Sequence, residues 1–367
     1  MKIELNIFSF DLFFKEPFNT GAGIVDKKEG FLVKIKGPSG VTGFGEASLL
    51  PGFTRGSKKE ITGQLIKLKN EFSDDHLKNI KDSGNFDTSG ILKGEKLFPS
   101  VNFALDSAII DLLRNIDGSG VQRILGTGVK EKGSVRVNAL LKIGKDPDET
   151  LNEAVRLRSA GFNKIKLKVG RFDPSYEKKV IKELSAIFEG EKNLRFDANC
   201  GFDIREAIDF FCDLDPENIE YIEDPFPDPE MIPKFFSETG VPVAPDSLLL
   251  KISLKEIETL HGIGALIIKP SVIGGVDRIT EFYNISRKLK IPMVFTSLFE
   301  SGIGLTNIAR ISSVLDLYET FMGLDTLKFL KEDLLLHSPE IRGGKFLLNS
   351  SFKLENGLNK AIVKKII

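Results

Sequence analysis

Cysteine is nearly absent: Cys200 and Cys212 are the only two in 367 residues. They have neither metal-ligand spacing nor the density of a secreted disulfide scaffold, and they fit a reducing compartment. Histidine is as sparse, and His76, His261 and His337 each read as surface or packing residues. An excess of either charge is missing too. With 51 basic against 52 acidic side chains and a net charge of -1, nothing points to a nucleic-acid or anionic-membrane surface, so any working charge must be local. No uncharged apolar run approaches the roughly 20 residues of a membrane span. The segment Met1–Phe14 is apolar but interrupted by Lys2, Glu4 and Asp11, and it lacks a small-residue cleavage site. That predicts a strand and not a signal peptide. A cytoplasmic protein is expected, long enough to bury a sizeable core as two domains or as a barrel with a cap.

What the chain does have is an unusual strand. In Phe162–Gly170, Lys164, Lys166 and Lys168 alternate with Ile165, Leu167 and Val169, so a core face lies behind a face crowded with ammonium groups. Lysines held together repel, each lowers the pKa of its neighbour, and a lysine so perturbed can act as a base. Read alone, the stretch suits a solvated edge strand equally well.

The surrounding pattern bears on that choice. Residues 1 to about 50 read as an antiparallel meander, with turn residues at Gly37–Gly40 and glycine-bearing loops at Asn19–Lys28 and Leu49–Ser57 that would suit lids or plain surface turns. Helical spacing follows over Lys58–Phe72 and Pro99–Asn115, and the polar stretch Ser73–Glu95 between them is expected to be mostly loop. After Gly133, β-rich runs alternate with helical segments: Val135–Leu141, Lys164–Val169, Leu194–Asn199, Ile219–Asp224, Val241–Asp246, Ala265–Pro270 and Ile291–Ser297, with an eighth around Thr320–Leu324. Such even spacing predicts an α/β fold: a modified TIM-type (β/α)7β barrel over residues 131–330, with an α+β capping domain over 1–130 on which 331–367 packs back.

The middle runs end on Lys168, Asp197, Glu223, Asp246 and Lys269, with Glu300 just beyond the next. Each step is about one strand-loop-helix-loop unit, and the carboxyl ends of parallel barrel strands open on one mouth, so these side chains should converge. A lone acidic residue at a strand end is usually a turn former or helix cap; five ionisable residues in register are not. Asp197, Glu223 and Asp246 offer only hard oxygen donors, which suits Mg2+, with Mn2+ as a substitute. Such an ion would relieve their repulsion and hold a substrate carboxylate while its α-proton leaves.

Lys166–Gly170, Asp197–Asn199, Ile222–Pro225, Asp246–Ser247 and Ile268–Pro270 together make the chain resemble the enolase superfamily, and within it the muconate-lactonizing subgroup with its Lys-x-Lys at the second barrel strand. The likeness covers nearly the full length, because Gly43–Ala47 through Leu50–Phe53 resembles the family's cap and its second specificity loop. Thr296–Gly304 and Gly323–Leu327 are similar to segments of the subgroup's dehydratases. The resemblance implies Lys168 as base and then acid, Lys166 as its helper, Lys269 as the stabiliser of an enediolate, and a small-molecule carboxylate as substrate. Asn199 is expected beside the metal, and Ser297, Glu300 and Ser301 around the substrate, although ordinary loop turns would explain them as well.

The rivals inside the subgroup are an acylamino-acid racemase, a dipeptide epimerase and a cycloisomerase. Asp325 is followed by Thr326 and Leu327, so one carboxylate of the epimerases' Asp-x-Asp is missing, and Val272 stands where the racemases tend to have arginine. None of the three histidines suits the seventh-strand base of mandelate-racemase-type members. A rival of another class is a barrel that has lost catalysis and serves as a binding or scaffold protein. Composition leaves the oligomeric state open.

Overall fold

The computed structural model describes residues 3–20, 23–37, 39–83, 88, 90–92, 94–118, 127–190, 192–349 and 352–366. The chain opens with a long hairpin, β1 (Glu4–Thr20) and β2 (Gly23–Lys36), followed by β3 (Thr42–Leu49). The expected loop at Asn19–Lys28 is mostly strand: Phe18 pairs with Val25 and Thr20 with Gly23, and an irregularity after Phe13 shifts the register. Gly23 has a left-handed φ of 117°, so the turn signal was real but marked only the tip. Residues 21 and 22 of that tip, and Pro38 of the expected turn at Gly37–Gly40, lie outside the described residues.

Helices α1 (Lys58–Glu71), α2 (Asp74–Ser83) and α3 (Pro99–Asp117) follow. Ser57 starts α1 with a capping box closed by Glu60. Most of the described part of the expected loop Ser73–Glu95 is α2; residues 84–87, 89 and 93 lie outside the description. Its polarity hid it, since Ile80 is its one buried residue. Helix α3 lies directly on β3. A Cβ on Gly45 would come 1.8 Å from the carbonyl oxygen of Ala104, and one on Gly43 2.1 Å from that of Ala108, so only glycine permits this approach.

The expected run Val135–Leu141 divides in two. Strand β4 (Ser134–Arg136) joins a small sheet, and β5 (Ala139–Leu141) begins the barrel. Parallel neighbours β6 (Ile165–Lys168), β7 (Leu194–Asp197), β8 (Ile219–Glu223) and β9 (Val243–Ala244) follow, and then β10 (Leu266–Ile268) beside β11 (Met293–Phe295). Parallel bridges close the ring: Val243 to Ile263, Thr296 to Gly323, and Met322 to Val137. Met322–Gly323 therefore serves as the eighth position, where the sequence pattern placed a strand. Crossover helices, among them Pro147–Ser159 and Pro174–Ile187, start from Asp146 and Asp173, whose side chains accept from backbone N–H groups of the first turn.

The tail returns to both units. Strands β12 (Ile341–Arg342) and β13 (Lys345–Leu347) pair with each other, and β13 pairs with β4, while β14 (Lys364–Lys365) adds to the edge of β1. The helix Gly302–Val314 is buried at every residue. It packs against β3, so one barrel helix is walled in by the antiparallel sheet. No helix among the described residues is long and apolar enough to cross a membrane.

Candidate active site

Inside the barrel the polar side chains form two levels. At the lower level Arg195 is fully buried; it donates through Nη1 to Asn138 (2.8 Å) and the carbonyl of Phe321 (2.5 Å), and through Nε to Glu220 (2.5 Å). Glu220 also holds Lys164 at 3.0 Å. A register shift between Leu194 and Arg195 makes this meeting possible, since Leu194 pairs with Ile219 while Arg195 pairs with Tyr221. Lys164, first in the alternating lysine stretch, thus belongs to the barrel floor.

At the upper level the register aligns Lys168 with Asp197 and Asp197 with Glu223 across β6, β7 and β8. The Lys166 ammonium lies 3.3 Å from Asp197 and also donates to Glu223. The Lys269 ammonium donates to Asp246. Among the described residues no three His, Cys, Asp or Glu side chains are gathered closely enough to grip one ion. The donor set nevertheless suits a hard divalent cation: three carboxylates share one partly buried mouth, and two ammonium groups engage them.

The charges sort these groups. Burial would lower the Lys166 ammonium, but Asp197, Glu223 and Asp246 outweigh it and hold its pKa above the ordinary lysine value. Lys168 goes the other way: burial pulls it down, and Lys166, Arg171 and Lys269 add to the fall against Asp197. The expected depression by neighbouring lysines prevails at Lys168, while at Lys166 the carboxylates outweigh it. Glu223 is pushed up to about 7 by burial and by Asp197 and Asp246, against the pull of Lys166. Asp197, also buried, is held low by Lys166, Lys168 and Lys269.

Turns at the strand ends fix these positions. Asn199 donates from its side chain to Asp197 and from its backbone N–H at 3.1 Å, so it orients that carboxylate. Asn199, Cys200 and Asp224 all take left-handed φ values, and the Cys200 N–H donates to the Asp224 carbonyl at 2.7 Å. The Asp224 side chain accepts from the backbone of Asp246 (2.9 Å) and Ser247 (2.7 Å), locking the turn that presents Asp246. Burial, with Asp246 nearby, pushes Asp224 up to about 6.

Glu300 and Ser301, expected around the substrate, are fully buried, and Ser297 nearly so. Glu300 accepts from Ser271 (2.7 Å), Ser297 (2.8 Å) and the Leu298 N–H (2.6 Å). The Ser301 N–H donates to Glu46 of β3 at 3.0 Å, and Glu46 forms a buried ion pair with Lys28 of β2. These side chains spend their polar atoms inside the protein. Sequence reasoning missed Lys28 and Glu46, whose partners are remote in the chain. It also gave no role to Phe53, which lies in the flagged loop Leu49–Ser57; the Lys269 ammonium sits 5.3 Å from its ring centre.

A closed parallel ring with ionisable side chains at the carboxyl ends of its strands, beside an antiparallel α+β cap, is the barrel-and-cap class of enzyme fold. The chain belongs to the enolase C-terminal domain-like family, whose model matches residues 149–352. Among relatives, Protein PHYLLO, chloroplastic, of Arabidopsis thaliana is 28% identical over 343 residues, covering 85% of this chain. This chain spans only 20% of that protein's length. The o-succinylbenzoate synthase of Aliivibrio fischeri (strain MJ11) is 25% identical over 320 residues, covering 84% of this chain and 86% of that one. Among solved structures, the L-Ala-D/L-Glu epimerase from Bacillus subtilis superposes with a TM-score of 0.76 at 21% identity, covering 98% of this chain and 99% of the other. That superposition speaks for the fold alone.

Proposed function

We propose that this chain is an o-succinylbenzoate synthase that removes water from a succinyl-hydroxy-cyclohexadiene carboxylate with Mg2+ bound. One observation carries the reading. Lys168 ends the second strand of the ring and Lys269 directly follows the sixth, at the same mouth as Asp197, Glu223 and Asp246, with Lys168 in register with Asp197 and the Lys269 ammonium on Asp246. Those three carboxylates would hold the metal, which when bound supplies positive charge for the substrate carboxylate. Neutral Lys168 takes the proton from the carbon α to that carboxylate; the electrons move onto the carboxylate as an enediolate. Lys269 offsets the new negative charge. Lys168, now an ammonium, returns its proton to the departing hydroxide on the same face, so elimination is syn and water leaves. Lys166 stays protonated beside Asp197 and Glu223 and keeps positive charge near Lys168.

We take residues 1–130 with 331–367 as the capping unit and 131–330 as the catalytic one. Pairing of β14 with β1 supports that division, although the β13–β4 pairing crosses it. An epimerase of the same family has less support: Asp325 holds Lys328 at 2.5 Å, and Thr326 spends its hydroxyl on Ser297 at 2.8 Å.

Purified protein with Mg2+ should abolish the ultraviolet absorbance of the synthetic cyclohexadiene. Lys168→Ala should slow this by about 10²–10⁴-fold, the range for loss of a general acid-base group. A variant with parental turnover refutes the assignment of Lys168. If the parent chain leaves the absorbance unchanged, deuterium exchange at the α-carbon of acylamino acids or dipeptides tests the racemase and epimerase readings. Mg2+ binding without exchange into any of these acids would leave a non-catalytic barrel.

A further inference from the structure

Glu300 is a buried carboxylate that, among the described residues, has no lysine, arginine or histidine within salt-bridge distance. Burying such a charge is costly unless every bond it makes serves the fold or the site. Its bonds join three neighbouring strand ends. One oxygen accepts from the hydroxyl of Ser271, two residues beyond Lys269. The other accepts from Ser297 and from the N–H of Leu298, just past β11. Ser297 in turn receives the hydroxyl of Thr326, beyond the eighth position of the ring, at 2.8 Å.

The backbone is bent to deliver this carboxylate. Phe299, directly before Glu300, takes a φ of 57°, a conformation that side-chain-bearing residues seldom adopt, and Glu300 then bonds back to Ser297 and the Leu298 N–H. Lys269 caps the short helix Pro270–Ile273, with its carbonyl accepting from Val272 (2.8 Å) and Ile273 (2.9 Å). Ser271 lies inside that turn. Anchoring its hydroxyl anchors the backbone from which Lys269 projects.

We propose that Glu300 is a positioning residue that fixes Lys269 through Ser271. This rests on reading Lys269 as the charge-stabilising group. The tie sets the distance between the ammonium and the developing enediolate, and it contacts neither substrate nor metal itself. A displacement of about 1 Å at a reacting group can cost about 10²-fold in rate.

The test uses the full chain with Mg2+ and the cyclohexadiene substrate. Ser271→Ala should lower kcat by about 10- to 100-fold while KM stays within about 2-fold, because the tie acts on the transition state. Glu300→Gln should keep most of the activity, since its amide can donate to Ser271 while its oxygen accepts from Leu298; Glu300→Ala should not. A folded Ser271→Ala with kcat within about 2-fold of the parent, or with its loss confined to KM, overturns the proposal. A crystal structure of Ser271→Ala separates this inference from the reading beneath it. Lys269 displaced from Asp246 supports the tie even if the parent dehydrates nothing. An unmoved Lys269 overturns it whatever the parent catalyses.

Discussion

Removing Lys28 would leave Glu46 without its cation in a place water does not reach. Both side chains are fully buried, and Glu46 also accepts from the N–H groups of Ser301 (3.0 Å) and Gly304 (3.2 Å). Lys28→Ala should therefore cost about 3–5 kcal/mol, read as a fall in the urea midpoint with unchanged slope. Lys58→Ala, which removes the 2.7 Å pair with Glu29 at the exposed foot of α1, should leave that midpoint nearly where it was. Residue by residue, the legible part of the candidate site was the part with periodicity. Lys166, Lys168, Asp197 and Glu223 recur where strands end, and a spacing argument finds them. Lys28, Glu46 and Ser301 have no such rhythm. Their meaning depends on contacts across 18 positions for Lys28 and Glu46 and 255 for Glu46 and Ser301, which no local pattern encodes.

At the level of elements, the tightest fit is β3 against α3. Gly45→Ala would drive a methyl group into the backbone of Ala104, and backbone cannot swing aside as a side chain can. The cost should be about 1–3 kcal/mol or more, measured by the same denaturation, and Gly63→Ala on α1, where the new Cβ meets nothing, serves as the control. Elements with a clear period were readable: the barrel strands alternate or run apolar, and α3 shows its apolar face. Three misreadings have physical causes. Helix α2 buries a single residue, so it lacks the stripe that identifies a helix. The run Val135–Leu141 is continuous in composition, yet its halves are claimed by β13 and by β6. In the first hairpin, glycine marks the reversal while the flanking residues continue the strands almost to it.

At the scale of the whole molecule, Asp106 is fully buried with no cation paired to it among the described residues, and it makes stability depend on pH in an unusual direction. Burial holds Asp106 well above the ordinary carboxyl range, helped by Asp277, against the Val276 N–H and Thr88. Its folded pKa therefore exceeds its unfolded one. The folded state keeps a proton that the unfolded chain has released, so this group's contribution is full at low pH and declines as pH rises toward the folded value. Asp106→Asn keeps an oxygen for Val276, 2.7 Å away, and cannot ionise. Its stability relative to the parent should increase from pH 4 to pH 8; a difference that stays flat over that range would contradict the assignment.

The all-round burial of Gly302–Val314 bears on how the chain is made. Glu46 leaves the ribosome 255 residues before Ser301, which caps that helix. At synthesis rates of about 5–20 residues per second, the nascent sheet waits roughly ten to fifty seconds for its cover. Through that interval Phe44 and Glu46 lack their late partners Asn307 and Ser301, and other nascent or misfolded chains compete for the uncovered surface. Codon choice and chaperone supply over that window would then bear on yield.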